Sequence, residues 1–125
     1  MADRATTKAE AQDRLELLEA ELRRFVEVAS EEFGAERIIV FGSLARAMEE
    51  GAQALNEWSD LDLVVMAETE LPFYERGRSL LLRVRPKISA DVFVYTPAEW
   101  KELKAGRLFV QSEMMEKGKV VYERA

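Results

Sequence analysis

The sequence predicts an α+β fold, one α/β-type mixed sheet of about four strands with helices packed on it. Three observations predict it. Short apolar runs alternate with longer stretches of helical periodicity. Capping signals stand ahead of several helical stretches. Glycine or proline punctuates most junctions: Gly34, Gly42, Gly51, Pro72, Pro86, Pro97 and Gly118. A length of 125 residues suits a single domain, residues 1–125.

Residues 1–6 read as a disordered tail. Thr7 and Glu10 have capping-box spacing. After them Leu15, Leu18, Leu22, Phe25, Val26, Ala29 and Phe33 recur at helical intervals, so residues 7–33 read as one amphipathic helix. Gly34 stands where a helix-ending glycine belongs. Residues 36–41 read as a strand whose four consecutive apolar residues suggest burial on both faces. Gly42-Ser43 follows, then a helix from Leu44 to about Glu50. Residues 52–58 read as more helix or a turn. Residues 60–66 form a second strand. A helix opens at Leu71-Pro72 and stops before Pro86. Residues 88–95 form a third strand. Thr96-Pro97 is an N-cap with an N1 proline, so a helix runs to about Ala105. A last helix covers about 108–116, and Lys119–Glu123 is a final strand.

Composition narrows the chemistry. The chain has no cysteine and no histidine. Thiol nucleophiles, zinc thiolates, imidazole bases and Ser-His-Asp triads are therefore excluded. Catalysis must use carboxylates, Lys/Arg, hydroxyls, backbone N–H groups or a bound metal. The net charge of −6 argues against direct nucleic-acid binding, which depends on Lys/Arg neutralising phosphates. No apolar run approaches the ~20 residues of a membrane span. The polar first fourteen residues lack the apolar stretch of a signal peptide. The expectation is a cytoplasmic protein with no membrane partner.

Three short features carry candidate chemistry. Asp60 and Asp62 are two apart on a strand, so both carboxylates face one way, about 7 Å apart at Cα. They either flank a hard cation such as Mg²⁺ or lie at an exposed strand start. Gly42-Ser43, between a buried strand and a helix, is either a phosphate cradle or an ordinary capped turn. Asp91 lies in an apolar strand, where a lone ionised carboxylate is costly. It needs an exposed face or a partner. If its strand neighbours the Asp60–Asp62 strand, three carboxylates converge.

Together these residues resemble the minimal nucleotidyltransferases of the DNA polymerase β superfamily. The matching strings are Val40-Phe41-Gly42-Ser43-Leu44-Ala45-Arg46 and Ser59-Asp60-Leu61-Asp62-Leu63-Val64-Val65. The third is Ala90-Asp91-Val92-Phe93-Val94-Tyr95, with Thr96-Pro97-Ala98-Glu99-Trp100 after it. Phe109 to Tyr122 resembles the family's closing helix and strand, so the family-like core covers about residues 35–123. The resemblance implies the nucleotidyltransferase fold, with Asp60, Asp62 and Asp91 as catalytic residues and ligands of two Mg²⁺ ions. It implies ATP as substrate, with Gly42 and Ser43 holding its phosphates and Arg46 supporting them. Sixteen residues separate Ser43 from Asp60, more than the family usually has. They either lengthen the helix by roughly 9 Å at 1.5 Å per residue or enlarge the loop holding Glu49, Glu50 and Trp58. Ala47 stands where a glycine commonly follows the arginine.

Small members of this family pair with a HEPN-domain ribonuclease toxin. The resemblance thus implies an antitoxin that transfers AMP from ATP to a toxin tyrosine within a hetero-oligomer. Two alternatives stay open: an inert binding subunit of a HEPN partner, and a stand-alone enzyme acting on a small hydroxyl compound such as an aminoglycoside. Arg76, Arg78, Arg83, Arg85 and Lys87 form a basic stretch that reads as a steering surface or a solvated helix face. Leu80, Leu81 and Leu82 span too wide an arc for one core stripe, so a second chain is expected over part of that helix. Trp58, Trp100, Met114 and Met115 read as packing residues.

Overall fold

The computed structural model describes residues 5–125. The tail reading for residues 1–4 lies outside them, and residues 5–6 carry no regular structure. Helix α1 spans Lys8–Glu32. Its start is fixed locally: the Thr7 hydroxyl accepts from the Glu10 N–H, and the Glu10 carboxylate accepts from the Thr7 N–H, both at 3.0 Å. Gly34, at φ 71°, turns the chain out of the helix into β1.

Four strands follow, β1 Ala35–Phe41, β2 Leu61–Ala67, β3 Ala90–Tyr95 and β4 Lys119–Glu123. They form one mixed sheet in the order β3-β2-β1-β4. β1 is antiparallel to both β2 and β4, and β2 is parallel to β3. β1 and β2 are the inner strands, as the unbroken apolar run in β1 predicts.

Strand alternation then divides the core in two. Ile38, Val40, Leu61, Leu63 and Val65 face one side. There they meet α1 (Leu18, Leu22, Phe25, Ala29), α2 (Gly42–Glu50; Leu44, Ala45, Ala47) and α3 (Phe73–Val84; Leu80, Val84). Ile39, Phe41, Val64 and Met66 face the other side. They meet Trp100 of α4 (Pro97–Gly106) and Val110 and Met114 of a π-helical segment, Val110–Glu116. In the segment's wide turn the Lys117 N–H reaches the Ser112 carbonyl at 3.1 Å, five residues back. No helix of the described residues is long and apolar enough to cross a membrane.

The structure resolves several sequence readings. α2 is not lengthened; it ends at Glu50, and Gly51 at φ 108° redirects the chain. The extra residues instead form a 3-10 turn, Ala52–Ala54, and a loop packed through buried Leu55. Arg14 of α1 pins that loop by donating to the Ser59 carbonyl at 2.8 Å. The Asn56 N–H donates to the Ser59 hydroxyl at 3.0 Å. Trp58 is 72% exposed and is not a packing residue, whereas Trp100 is buried. Met114 is core and Met115 is not.

The basic stretch is not one solvated face. Arg76 is buried, paired with Glu99 at 2.6 Å and donating to the Leu71 carbonyl at 2.9 Å. Arg83 donates to the Glu32 carbonyl at 2.8 Å and stands over the Phe33 ring. Both tie α3 to its neighbours, and Arg78 and Arg85 remain at the surface. Below α3, buried Glu21 accepts from Arg24 at 2.7 Å and from the Lys87 backbone N–H. Gly77 lets α3 approach β3, for a Cβ there would lie 2.6 Å from the Val92 carbonyl oxygen. The leucines divide as their arc requires: Leu80 is fully buried and Leu82 is exposed.

Candidate active site

The parallel pairing of β2 with β3 sets Asp62 directly beside Asp91. β1 ends alongside them, with Phe41 opposite Asp62. Alternation places all three side chains on the face that carries α4 and the π-helical segment. Buried Leu61 and Leu63 point the other way.

Gly42 completes this corner. Its φ is 70°, and a Cβ on it would collide with Oδ2 of Asp62. Only glycine satisfies both the turn and the close approach. α2 begins here, and Phe41 at its N-cap supplies no side-chain hydrogen bond. The first N–H groups of the helix are therefore not capped by that residue, and their positive end adjoins the carboxylates. Ser43 is half-buried in the first turn, and Arg46 is exposed one turn further on.

The electrostatics follow from this packing. Burial, then the facing Asp91 carboxylate, then Asp60 push the Asp62 carboxyl up from 3.8 to about 6. When Asp62 is protonated its hydroxyl can donate to Asp91, which adds to the rise. Two carboxylates so placed repel when both ionise, and a cation between them removes the conflict. All their donors are hard oxygens, the set that Mg²⁺ takes together with phosphate oxygens.

The three acids do not stand equally. Asp62 is half-buried and faces Asp91, which is itself exposed; Asp60 precedes β2, is also exposed, and acts on Asp62 only through space. Among the described residues, no group of three or more His, Cys, Asp or Glu side chains is arranged to hold a metal ion. The exposed Asp60 side chain would have to swing toward the pair to add a third ligand.

Two surroundings of the site were not read from the sequence. The first is an aromatic floor. The Phe41 and Phe93 rings meet 6.1 Å apart over β2, just inward of Asp62, and Phe109 stands edge-on to Phe41 at 6.3 Å. The alternation of β1 and β3 would have placed Phe41 and Phe93 on one face, given the strand pairing. The second is a cleft of about 430 Å³ that starts at Gly42. It runs between α2 (Arg46, Glu49, Glu50) and the end of the π-helical segment (Glu113, Glu116, Lys117). Lys119 pairs with Glu49 and Lys117 with Glu113, so half of its acids are already compensated.

Comparison with models of known protein families, with characterised proteins and with solved structures finds no match.

Proposed function

We propose that this chain is a Mg²⁺-dependent nucleotidyltransferase of the nucleotidyltransferase fold, transferring AMP from ATP to a tyrosine hydroxyl of a HEPN-type toxin. The observation that carries the reading is the Asp62–Asp91 pair, set in register and closed by a glycine that no other residue could replace. The order of strands and helices agrees with it. So does the family resemblance of the strings around Gly42, Asp60–Asp62 and Asp91.

In this reading Asp60, Asp62 and Asp91 hold the metal, which when bound offsets triphosphate charge and acidifies the acceptor hydroxyl. The N–H groups at the start of α2, with the Ser43 hydroxyl, hold the β- and γ-phosphates. Arg46 contributes positive charge at the cleft mouth. Asp91 accepts the acceptor's proton. The acceptor oxygen bonds to the α-phosphorus, the bridging α–β P–O bond breaks, and pyrophosphate leaves. Phe41 and Phe93 keep water from the inner side of the carboxylates and so strengthen their hold on charge.

The test uses ATP labelled at the α-phosphorus, Mg²⁺ and the protein encoded beside this one. Label should pass to the partner with wild type and fall at least about a hundredfold with Asp60→Asn. Unchanged transfer in Asp60→Asn would remove the catalytic assignment. The exposed positions of Asp60 and Asp91 favour one second reading, a binding-only antitoxin. That reading expects full toxin neutralisation by the Asp60→Asn, Asp62→Asn double variant.

A further inference from the structure

Phe109 is 56% exposed, although large apolar side chains are usually covered. Its position is not that of a loose surface residue. It stands at 88° to Phe41, which is buried and in turn packs on Phe93. One side of the Phe109 ring is therefore braced against the aromatic floor, and the rest faces solvent. The same Phe41 pairs with Asp62 across β1 and β2 and immediately precedes Gly42. The exposed ring is thus one aromatic contact removed from the residue that pairs with Asp62 and leads into the proposed phosphate cradle.

We infer that Phe109 is the stacking platform for the nucleotide's base. The inference rests on the nucleotidyltransferase reading and deepens it by assigning the part of the site that the carboxylates and the cradle leave open. A triphosphate held at Gly42-Ser43 with its α-phosphorus at Asp62 needs somewhere nearby to place an apolar ring. A braced aromatic ring supplies that at low entropic cost, because it is already ordered. Stacking uses the π-face that every base has, so the platform selects for ring area rather than for hydrogen-bonding edges. It holds purines more tightly than pyrimidines and distinguishes ATP poorly from GTP.

The experiment compares equilibrium binding, with Mg²⁺ present, of a non-hydrolysable ATP analogue, its GTP counterpart and inorganic triphosphate. In Phe109→Ala, affinity for both nucleotides should fall about tenfold or more while triphosphate affinity stays unchanged. Phe109→Trp should retain nucleotide affinity and report it by fluorescence quenching. Leu108→Ala, at the still more exposed neighbour, should match wild type. Wild-type nucleotide affinity in Phe109→Ala, with triphosphate still bound, would overturn the platform and leave the phosphate site standing. Equal losses for triphosphate and nucleotide would overturn it as well, showing that the ring acts on the fold. Failure of wild type to bind even triphosphate would instead bring down the nucleotidyltransferase reading, and the platform with it.

Discussion

Asp62→Asn should make the metal-free protein more stable while removing its proposed chemistry. In the unfolded chain the Asp62 carboxyl ionises near 3.8, and in the folded chain near about 6. The folded state therefore holds more protons between those values. Stability falls as pH rises through that window, and the full penalty remains above it. A shift of about two units corresponds to roughly 3 kcal/mol at ~1.36 kcal/mol per unit. Asp62 is only partly buried, so solvent screening reduces this to about 1–2 kcal/mol. Asparagine keeps the shape and a hydrogen bond to Asp91 but carries no charge. Urea unfolding in chelator should therefore show Asp62→Asn about 1–2 kcal/mol more stable than wild type at ~pH 8, and the two nearly equal at ~pH 4. Adding Mg²⁺ at the higher pH should stabilise wild type and leave the variant unmoved. A variant less stable than wild type at both pH values, or a gain independent of pH, would refute the reasoning.

Three further outcomes follow from the same structure. Gly42→Ala should cost about 1–2 kcal/mol for its positive φ alone; because the new methyl displaces Asp62, it should also abolish nucleotide binding, measured by dialysis. Gly77→Ala sets about 1 kcal/mol of better helix propensity against an overpacking cost of about 1–3 kcal/mol at the Val92 carbonyl, so thermal melts should show a net loss near 1 kcal/mol. For Glu21, burial raises the carboxyl's pKa, but the Lys87 N–H and Arg24 outweigh it and hold the group below 4.5. Its stabilising contribution is thus present above 4.5 and lost as pH falls through the lowered value. Glu21→Gln should cost about 1–2 kcal/mol near ~pH 7, with the difference from wild type vanishing in acid denaturation.

What could be read from the sequence was local. The capping box of Thr7 with Glu10 and the N-cap at Thr96 need only local spacing, and both appear in the structure, where Glu99 closes a second box on Thr96. The apolar run at 36–41 marks an inner strand because burial on both faces leaves no polar alternation there; residues 60–66 were legible as a strand, and their inner place in the sheet was not. Gly42 was legible as a turn, and its contact with Asp62 was not, because that contact depends on how β1 meets β2. Likewise the Asp62–Asp91 pairing is a register between strands joined through α3, which no spacing reveals. Asp60 was read as equal to Asp62, but the sheet begins one residue later and leaves it exposed. Arg76 looked like its basic neighbours until its contacts with Glu99 and the Leu71 carbonyl distinguished it. Trp58 was misread because aromatic residues are usually covered and nothing local shows that its loop points outward.

The most direct test of the site is anomalous diffraction from crystals grown with Mn²⁺ and a non-hydrolysable ATP analogue. The account expects manganese bound between Asp62 and Asp91 by their oxygens, with Asp60 swung in toward it. Phosphate oxygens should lie on the first N–H groups of α2. Manganese and nucleotide held only among the glutamates of the neighbouring cleft, with no metal between Asp62 and Asp91, would contradict it.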